Sequence, residues 1–143
     1  MDLFNLNGKV AVVTGSTRGI GKAIAEEMSV HGAKVVITSR KSDACDEVVG
    51  SIRSGGGDAT AIPCNISYKD QLKTLVTETQ KIYGKIDILV CNAAVNPHFG
   101  SALDIPDSAF EKVMDVNIKA NHWLIQMVAP EMIKNEGGSI IIV

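Results

Sequence analysis

The sequence predicts an α/β fold, a doubly wound parallel sheet with strand order 3-2-1-4-5. Short apolar runs rich in Val and Ile alternate with segments of helical periodicity along the 143 residues. The runs are apolar throughout, which is typical of parallel strands buried on both faces. Right-handed crossovers reduce the possible topologies to this strand order, with helices on both faces of the sheet. The fifth run is the last in the sequence.

Five strands and three ordinary helices follow from these patterns. The predicted strands cover residues 9–14, 34–38, 59–64, 86–91 and 139–143. The first helix buries Ile24, Ala25 and Met28 and stops at Gly32, because these apolar residues share one face. The second helix covers about 42–53, and the third has an apolar face over 72–82.

The fourth helix is expected to be long, from about Asp107 toward Asn135. Ser108 and Glu111 have the spacing of a capping box at its start. Pro130 should kink or break the last turns, since proline lacks the N–H that a helix needs. No repeat or linker interrupts the sequence, so we expect residues 1–143 to form a single domain.

Composition excludes several classes of function. The net charge of −2 argues against a nucleic-acid partner. No apolar run approaches the roughly 20 residues that span a bilayer, and the N-terminus lacks a signal-peptide pattern, so a cytoplasmic location without membrane contact is expected. The three cysteines and three histidines have no metal-ligand spacing. We expect no metal site, and we interpret the cysteines as small buried residues.

A glycine-rich turn lies between the first strand and the first helix, with the sequence TGSTRGIG over residues 14–21. Gly15 permits a tight turn, Gly19 lets a pyrophosphate approach the backbone, and Gly21 lets the helix pack on the strand. The helix N-terminus supplies unpaired N–H groups to the anion. We therefore expect the cofactor to contact Gly15, Thr17, Arg18, Gly19, Ile20 and Gly21.

Two other structures also place glycines between a strand and a helix. Glycines between a strand and a helix can simply form a turn, but the strand before and the helix after them favour nucleotide binding. The phosphate loop of NTPases is excluded, because its G-x-x-x-x-G-K-[ST] pattern needs glycine at the position of Ser16 and a hydroxyl at the position of Ala23.

The end of the second strand indicates which cofactor binds. NAD-binding proteins of this fold place an acid there, whereas this chain has Ser39 and Arg40. A guanidinium pairs with a ribose 2′-phosphate that an acid would repel, and Arg18 could add a second positive charge. The absent acid and the two arginines predict NADP(H), although either arginine could instead be a solvated surface charge.

The glycine spacing resembles that of the short-chain dehydrogenase/reductase family, whose nucleotide-binding fold is of the Rossmann type. Asn65 and Ile66 match the place where the family has an acid against the adenine amino group. Asn92 and Ala93 match its Asn-Asn-Ala-Gly motif, and Asn117 matches its catalytic Asn. The stretch from Asn92 to Pro97 resembles the NADP(H)-dependent carbonyl and retinal reductase branch. The resemblance extends from about Leu6 to Val143.

Three positions depart from the family pattern. Asn65 replaces the acid, although its amide oxygen can still accept from the adenine amino group. Cys91 replaces the first Asn of its motif, which removes a polar link between central strands. Ala94 replaces a glycine, which is tolerable only if the backbone there needs no positive φ.

The resemblance implies a homotetramer that interconverts a carbonyl and an alcohol by hydride transfer with the nicotinamide. It also implies a Ser and a Tyr-x-x-x-Lys motif that act on a small-molecule substrate, with Asn117 supporting a water near the Lys. Neither Tyr68 nor Tyr83 is followed by Lys at the fourth position, and no candidate Ser follows the fifth strand. We therefore expect this chain to be the cofactor-binding, N-terminal part of such an enzyme and to be inactive alone. The alternative is that the chain is a non-catalytic nucleotide-binding or interaction module. His98 is a weaker candidate for an acid, and His98 with Phe99 could line the substrate pocket.

Overall fold

The computed structural model describes residues 3–143 and contains one five-stranded parallel sheet. The strands are β1 (Val10–Thr14), β2 (Lys34–Thr38), β3 (Asp58–Ala61), β4 (Ile88–Cys91) and β5 (Ser139–Ile142). They are hydrogen-bonded in the order β3-β2-β1-β4-β5, and each neighbouring pair is parallel. The predicted fold class and strand order are confirmed.

The helices connect the strands in the expected sequence. They are α1 (Gly19–Val30), α2 (Ser42–Ser54), α3 (Lys69–Tyr83), α4 (Asp107–Val113) and α5 (Ala120–Lys134). A short 3-10 turn, Ala102–Asp104, precedes α4, and a π-helical segment, Met114–Lys119, joins α4 to α5 without interruption. The single long helix expected over 107–135 is therefore continuous but contains a wider turn in its middle.

Two apolar cores cover the two faces of the sheet. On one face, Ala11 and Val35 pack with residues of α1 and α2, such as Ala25 and Val48. On the other face, Val12, Val36 and Leu89 pack with residues of α3, the π segment and α5, which are Leu72, Leu75, Val76, Val116, Ala120, Leu124, Val128 and Met132. Because successive strand residues point to opposite faces, the continuous apolar strands supply both cores.

The capping box predicted at the start of the long helix is wrong, and so is a break at Pro130. Ser108 is the second residue of α4, and the residue before the helix is Pro106, whose side chain makes no capping hydrogen bond. The helix begins directly after Pro106, whose φ is fixed by its ring, and this is two residues earlier than a capping box with Ser108 as the N-cap would place it. Pro130 does not break α5, which continues to Lys134. The buried residues Val128 and Met132 on either side of Pro130 hold the segment helical by packing.

The fifth strand is more exposed than its apolar sequence predicts. Ile141 and Ile142 are 42% and 62% exposed. Within residues 3–143, β5 pairs with β4 alone, so its outer edge and much of its surface remain open. The third strand ends three residues before its predicted end, and the fourth begins two residues after its predicted start. The N–H groups of Ile62 and Cys64 still donate to the carbonyls of Ile37 in β2 and of Ser39 after it.

No helix among the described residues is long and apolar enough to cross a membrane. In the same part of the chain, no three His, Cys, Asp or Glu side chains are grouped as metal ligands.

All three cysteines are free and buried, as predicted. Burial raises the pKa of Cys64 and of Cys91 from 9.0 to about 11. Both thiols therefore stay protonated, and hence poorly nucleophilic, at neutral and mildly alkaline pH.

We predict that the native chain reacts slowly with a disulfide reagent at pH 8, and that three thiols react at once after denaturation. Because the pKa values of Cys64 and Cys91 are raised in the folded state, their contribution to stability is present below pH 9 and is lost as the pH rises toward 11. Thiol titration and denaturant unfolding between pH 8 and 11 measure both effects. Fast labelling of native Cys64 or Cys91 at pH 8 would contradict their burial.

Candidate functional site

The candidate site lies at the carboxyl edge of the sheet, where the connection reverses direction between β1 and β4. Ligands of doubly wound sheets bind in the crevice at this position. The turns that follow β1, β2, β3 and β4 meet at this edge, and together with the first three residues of α1 they contain the predicted cofactor-contacting residues.

The glycine turn after β1 has the geometry that an approaching phosphate requires. Gly15 and Gly19 have φ of +66° and +56°, values that glycine adopts without strain. A Cβ at Gly19 would meet nothing within 4 Å, so this side of the turn is open. A Cβ at Gly15 would lie 3.0 Å from the Cα of Ala93, so that side is closed by the loop after β4.

The N-terminus of α1 provides donors without a competing acceptor. Arg18 precedes the helix in an extended conformation, and no side chain caps the first turn. That turn also contains no acidic residue. The N–H groups of Gly19, Ile20 and Gly21 are therefore available to an anion at the positive end of the helix. The Ile20 side chain is 65% exposed, so Ile20 would contribute its backbone.

Thr14, the last residue of β1, joins the two central strands at the site. Its buried Oγ1 accepts hydrogen bonds from the backbone N–H groups of Asn92 at 2.9 Å and Ala93 at 3.0 Å. The same hydroxyl can donate to the carbonyl of Val90, 3.4 Å away. Sequence analysis missed this role, although a hydroxyl at the end of a buried strand, directly before a glycine turn, was a usable signal.

The Asn92 side chain completes this connection. Its Nδ2 donates to the carbonyl of Thr14 at 2.9 Å and to that of Gly15 at 3.3 Å. Asn92 therefore fixes the start of the glycine turn from the neighbouring strand. Ala93 packs against the core beside it. Among the described residues, Glu136 is the one non-glycine residue with a positive φ, so the φ of Ala94 is not positive. Alanine in place of the family's glycine is thus tolerated.

A second hydroxyl attaches the glycine turn to β2. The Oγ of Ser16, which is fully buried, accepts a hydrogen bond from the backbone N–H of Thr38 at 2.9 Å. The backbone N–H of Ser16 donates to the carbonyl of Thr38 at 3.1 Å. Sequence analysis also missed Ser16, and its position in the glycine turn gave no separate signal.

The residues expected to choose the cofactor follow directly after this link. The Ser39 Oγ accepts from the backbone N–H of Lys41 at 3.2 Å and lies 3.4 Å from the Sγ of Cys45. Arg40 is exposed at the end of β2, and Arg18 is exposed after the neighbouring strand β1. The structure thus places both arginines after adjacent parallel strands, at the edge where the nucleotide would bind.

The residues after β3 are more constrained than the sequence indicated. The Asn65 Oδ1 accepts from the backbone N–H of Ser67 at 3.1 Å, and the Asn65 N–H donates to the Oε1 of Gln71 at 2.7 Å. One lone pair of the amide oxygen is therefore already used within the turn. Ile66 is 8% exposed and belongs to the core, so its backbone is the part that could contact an adenine.

Asn117 lies in the π segment and bonds to the loop after β4. Its Oδ1 accepts from the backbone N–H of Val95 at 2.9 Å, and its Nδ2 donates to the Val95 carbonyl at 3.0 Å. The N–H of Ala120 donates to the carbonyl of Asp115, five residues earlier, which is the π pattern. An Asn inside a helix tends to distort it, and this helix is indeed widened around Asn117.

Neither tyrosine has the surroundings of a catalytic acid. Tyr83 donates to the Oδ1 of Asp58 at 3.0 Å, and its hydroxyl lies 2.9 Å from the Oγ1 of Thr60. Asp58 is the first residue of β3, at the end opposite the candidate site. Burial raises the pKa of the Tyr83 phenol. Tyr68 is 58% exposed. The Nε2 of His98 lies 3.4 Å from the Ser101 carbonyl in the loop after β4.

We predict that Gly21→Ala disrupts the site. A Cβ at Gly21 would overlap the Gly15 carbonyl and the Asn92 Nδ2, and the carbonyl belongs to backbone that cannot move freely. We expect a loss of stability of about 1–3 kcal/mol, typical of overpacking, together with loss of nucleotide binding.

The matched control is Gly50→Ala in α2, where a Cβ would meet nothing within 4 Å. This substitution should stabilise the chain by roughly 0.5–1 kcal/mol, because alanine favours helix. Denaturant unfolding and nucleotide titration of both variants check the contrast. Equal stability of the two variants would contradict the close packing of Gly21.

The chain is similar to known proteins over nearly its whole length. The family model described as short chain dehydrogenase matches residues 9–143. Dehydrogenase/reductase SDR family member 4 of Bos taurus is 44% identical over 138 residues, which cover 96% of this chain and 50% of the relative.

Two solved structures are similar throughout the chain. A 7 alpha-hydroxysteroid dehydrogenase complexed with NADH and 7-oxo glycochenodeoxycholic acid has a TM-score of 0.92 and 38% identity, over 98% of this chain and 54% of that one. A metagenomic short-chain oxidoreductase in complex with NADP has a TM-score of 0.90 and 36% identity, over 96% of this chain and 62% of that one. The chain thus spans about half the length of the curated relative it matches. It belongs to the short-chain dehydrogenase/reductase family.

Proposed function

We propose that this chain is the cofactor-binding part of an NADP(H)-dependent oxidoreductase that interconverts a carbonyl and an alcohol. The observation that carries the proposal is the open, uncapped N-terminus of α1 beside Gly19, at the point where the strand order reverses. The nicotinamide would accept or supply the hydride. The residues of this chain would bind and orient the nucleotide that carries it.

Each part of the nucleotide has a candidate partner. The pyrophosphate would contact the backbone of Gly15 and of residues 17–21 in the glycine turn. The adenine would contact the turn at Asn65 and Ile66. Asn92 and Ala93 would lie beside the nicotinamide half, because they follow β4, across the reversal point from β2. Asn117 would keep their loop in place through Val95.

The choice of NADP(H) over NAD(H) depends on charge at the end of β2. Ser39 and Arg40 stand where an acid would favour the free ribose hydroxyl, and the exposed guanidinium of Arg40 is free of any ion pair with a described acid. A 2′-phosphate would gain a charged, bidentate hydrogen-bond partner there. The metagenomic neighbour bound to NADP supports this choice, while the neighbour bound to NADH shows that the fold accommodates both.

We predict that Arg40→Ala weakens NADPH binding roughly tenfold or more and leaves NADH binding nearly unchanged, since one charged hydrogen-bonded contact is lost. Isothermal titration with both cofactors measures the change. Lys81→Ala is the matched control: it removes one positive charge near the end of α3, where Lys81 pairs with Glu78. Equal affinity of the parent chain for NADPH and NADH would reject the assignment.

The 143-residue chain should bind a nucleotide without reducing a carbonyl. It contains no Tyr-x-x-x-Lys, and loss of positioned acid–base catalysis alone costs on the order of 10²–10⁴ in rate. Adenosine 2′,5′-bisphosphate should bind in a calorimetric titration, whereas an NADPH-dependent carbonyl assay should show no turnover. Turnover by the purified chain, with host reductases excluded, would identify His98 as the first residue to replace.

A further inference from the structure

Asn121 lies one helical turn after Asn117 and is almost fully buried, with 6% exposure. Its Nδ2 donates a hydrogen bond to the backbone carbonyl of Asn117 at 2.8 Å. Asn117 in turn bonds through its side chain to both backbone groups of Val95. A continuous series of hydrogen bonds therefore connects the interior of α5 with the loop after β4.

The two polar atoms of the Asn121 side chain differ in what they contribute. The Oδ1 is buried without a hydrogen-bond partner among the described residues. Burying an unsatisfied acceptor costs free energy that an apolar side chain of similar size would avoid. An amide at this position is therefore explained by its donor, which bonds to the carbonyl of Asn117.

The acceptor belongs to the part of the helix where backbone geometry is least regular. The π segment covers Met114–Lys119, so Asn117 lies inside the wide turn and Asn121 lies in the regular helix after it. π-helical turns are rare and depend on the surrounding contacts, because their own hydrogen-bond geometry does not favour them. Because Asn121 is buried, its side-chain donor is held in place by the core. The hydrogen bond from this donor can therefore keep the Asn117 carbonyl in one orientation.

We infer that Asn121 is a positioning residue: through the Asn117 carbonyl it fixes the π turn, the Asn117 side chain and hence the loop at Val95. Asn92 and Ala93 lie three and two residues before Val95, so the same loop reaches the Thr14 hydroxyl and the glycine turn. The effect of Asn121 on a bound nucleotide rests on the proposed function, whereas its effect on Val95 does not.

A threonine elsewhere in the chain shows which substitution of Asn121 would keep a hydrogen-bond donor. In α3, the buried Thr79 donates from Oγ1 to the carbonyl of Leu75, four residues earlier, at 2.7 Å. A threonine at position 121 could make the same bond to Asn117. Valine has nearly the same shape and no donor. Asn121→Thr should therefore preserve the positioning effect and Asn121→Val should remove it.

The experiment measures amide hydrogen exchange of the folded 143-residue chain by NMR, as the ratio of the Val95 rate to the rate of Val12 in the core strand β1. We expect Asn121→Val to raise this ratio roughly fivefold, as for loss of one net hydrogen bond, and Asn121→Thr to leave it within about twofold of the parent. Thr79→Val, the control, removes an equivalent bond in another helix and should not raise the ratio.

A general loss of stability would accelerate the exchange of Val12 at least as much as that of Val95, so it would not raise the ratio. An unchanged ratio in Asn121→Val, or failure of Asn121→Thr to restore it, would overturn the inference. If Asn121→Val does not fold, Asn121→Ser and Asn121→Ala give the same contrast in a smaller side chain. Titration with NADP⁺ completes the set: no binding by the parent would reject the proposed function, while the exchange ratio would still decide the role of Asn121.

Discussion

The rest of the site depends on the hydrogen bonds of the Thr14 hydroxyl. This hydroxyl lies at the end of β1 and accepts hydrogen bonds from two backbone N–H groups of the loop after β4. Thr14 is fully buried. Strand pairing between β1 and β4 covers Ala11 to Val13 and ends just before this point. Thr14 and the Asn92 amide continue the connection beyond the ladder, so the two turns that would face a nucleotide are held as one unit.

This arrangement explains why small residues surround the junction. Asn92 lies so close to the glycine turn that a Cβ at Gly21 would overlap it, and Ala93 lies against Gly15. The side of the turn that would face the phosphates, at Gly19, is open instead. The glycines therefore have two different functions: Gly21 allows tight packing inside the protein, and Gly19 leaves access from outside.

The sequence predicted those features that depend on local pattern. Strand order follows from continuous apolar runs and right-handed crossovers, and the turn between β1 and α1 follows from the spacing of its glycines. The missed features depend on contacts between distant segments. The hydroxyls of Thr14 and Ser16 accept hydrogen bonds from backbone N–H groups 78 and 22 residues away, and no local pattern specifies such a donor. The exposure of β5 likewise depends on which strand lies beside it.

The link between Thr14 and Ala93 has a kinetic consequence, because the two residues are 79 positions apart. The pairs Val10↔Lys34 and Lys34↔Asp58 close across 24 residues each, whereas Ala11↔Ile88 closes across 77. Closing the longer loop costs about 1 kcal/mol more in chain entropy, and non-local pairing slows folding. During synthesis β1, β2 and β3 could associate early, with Ser16 already attached to Thr38. The edge that would receive a nucleotide becomes complete only after residue 93 has left the ribosome.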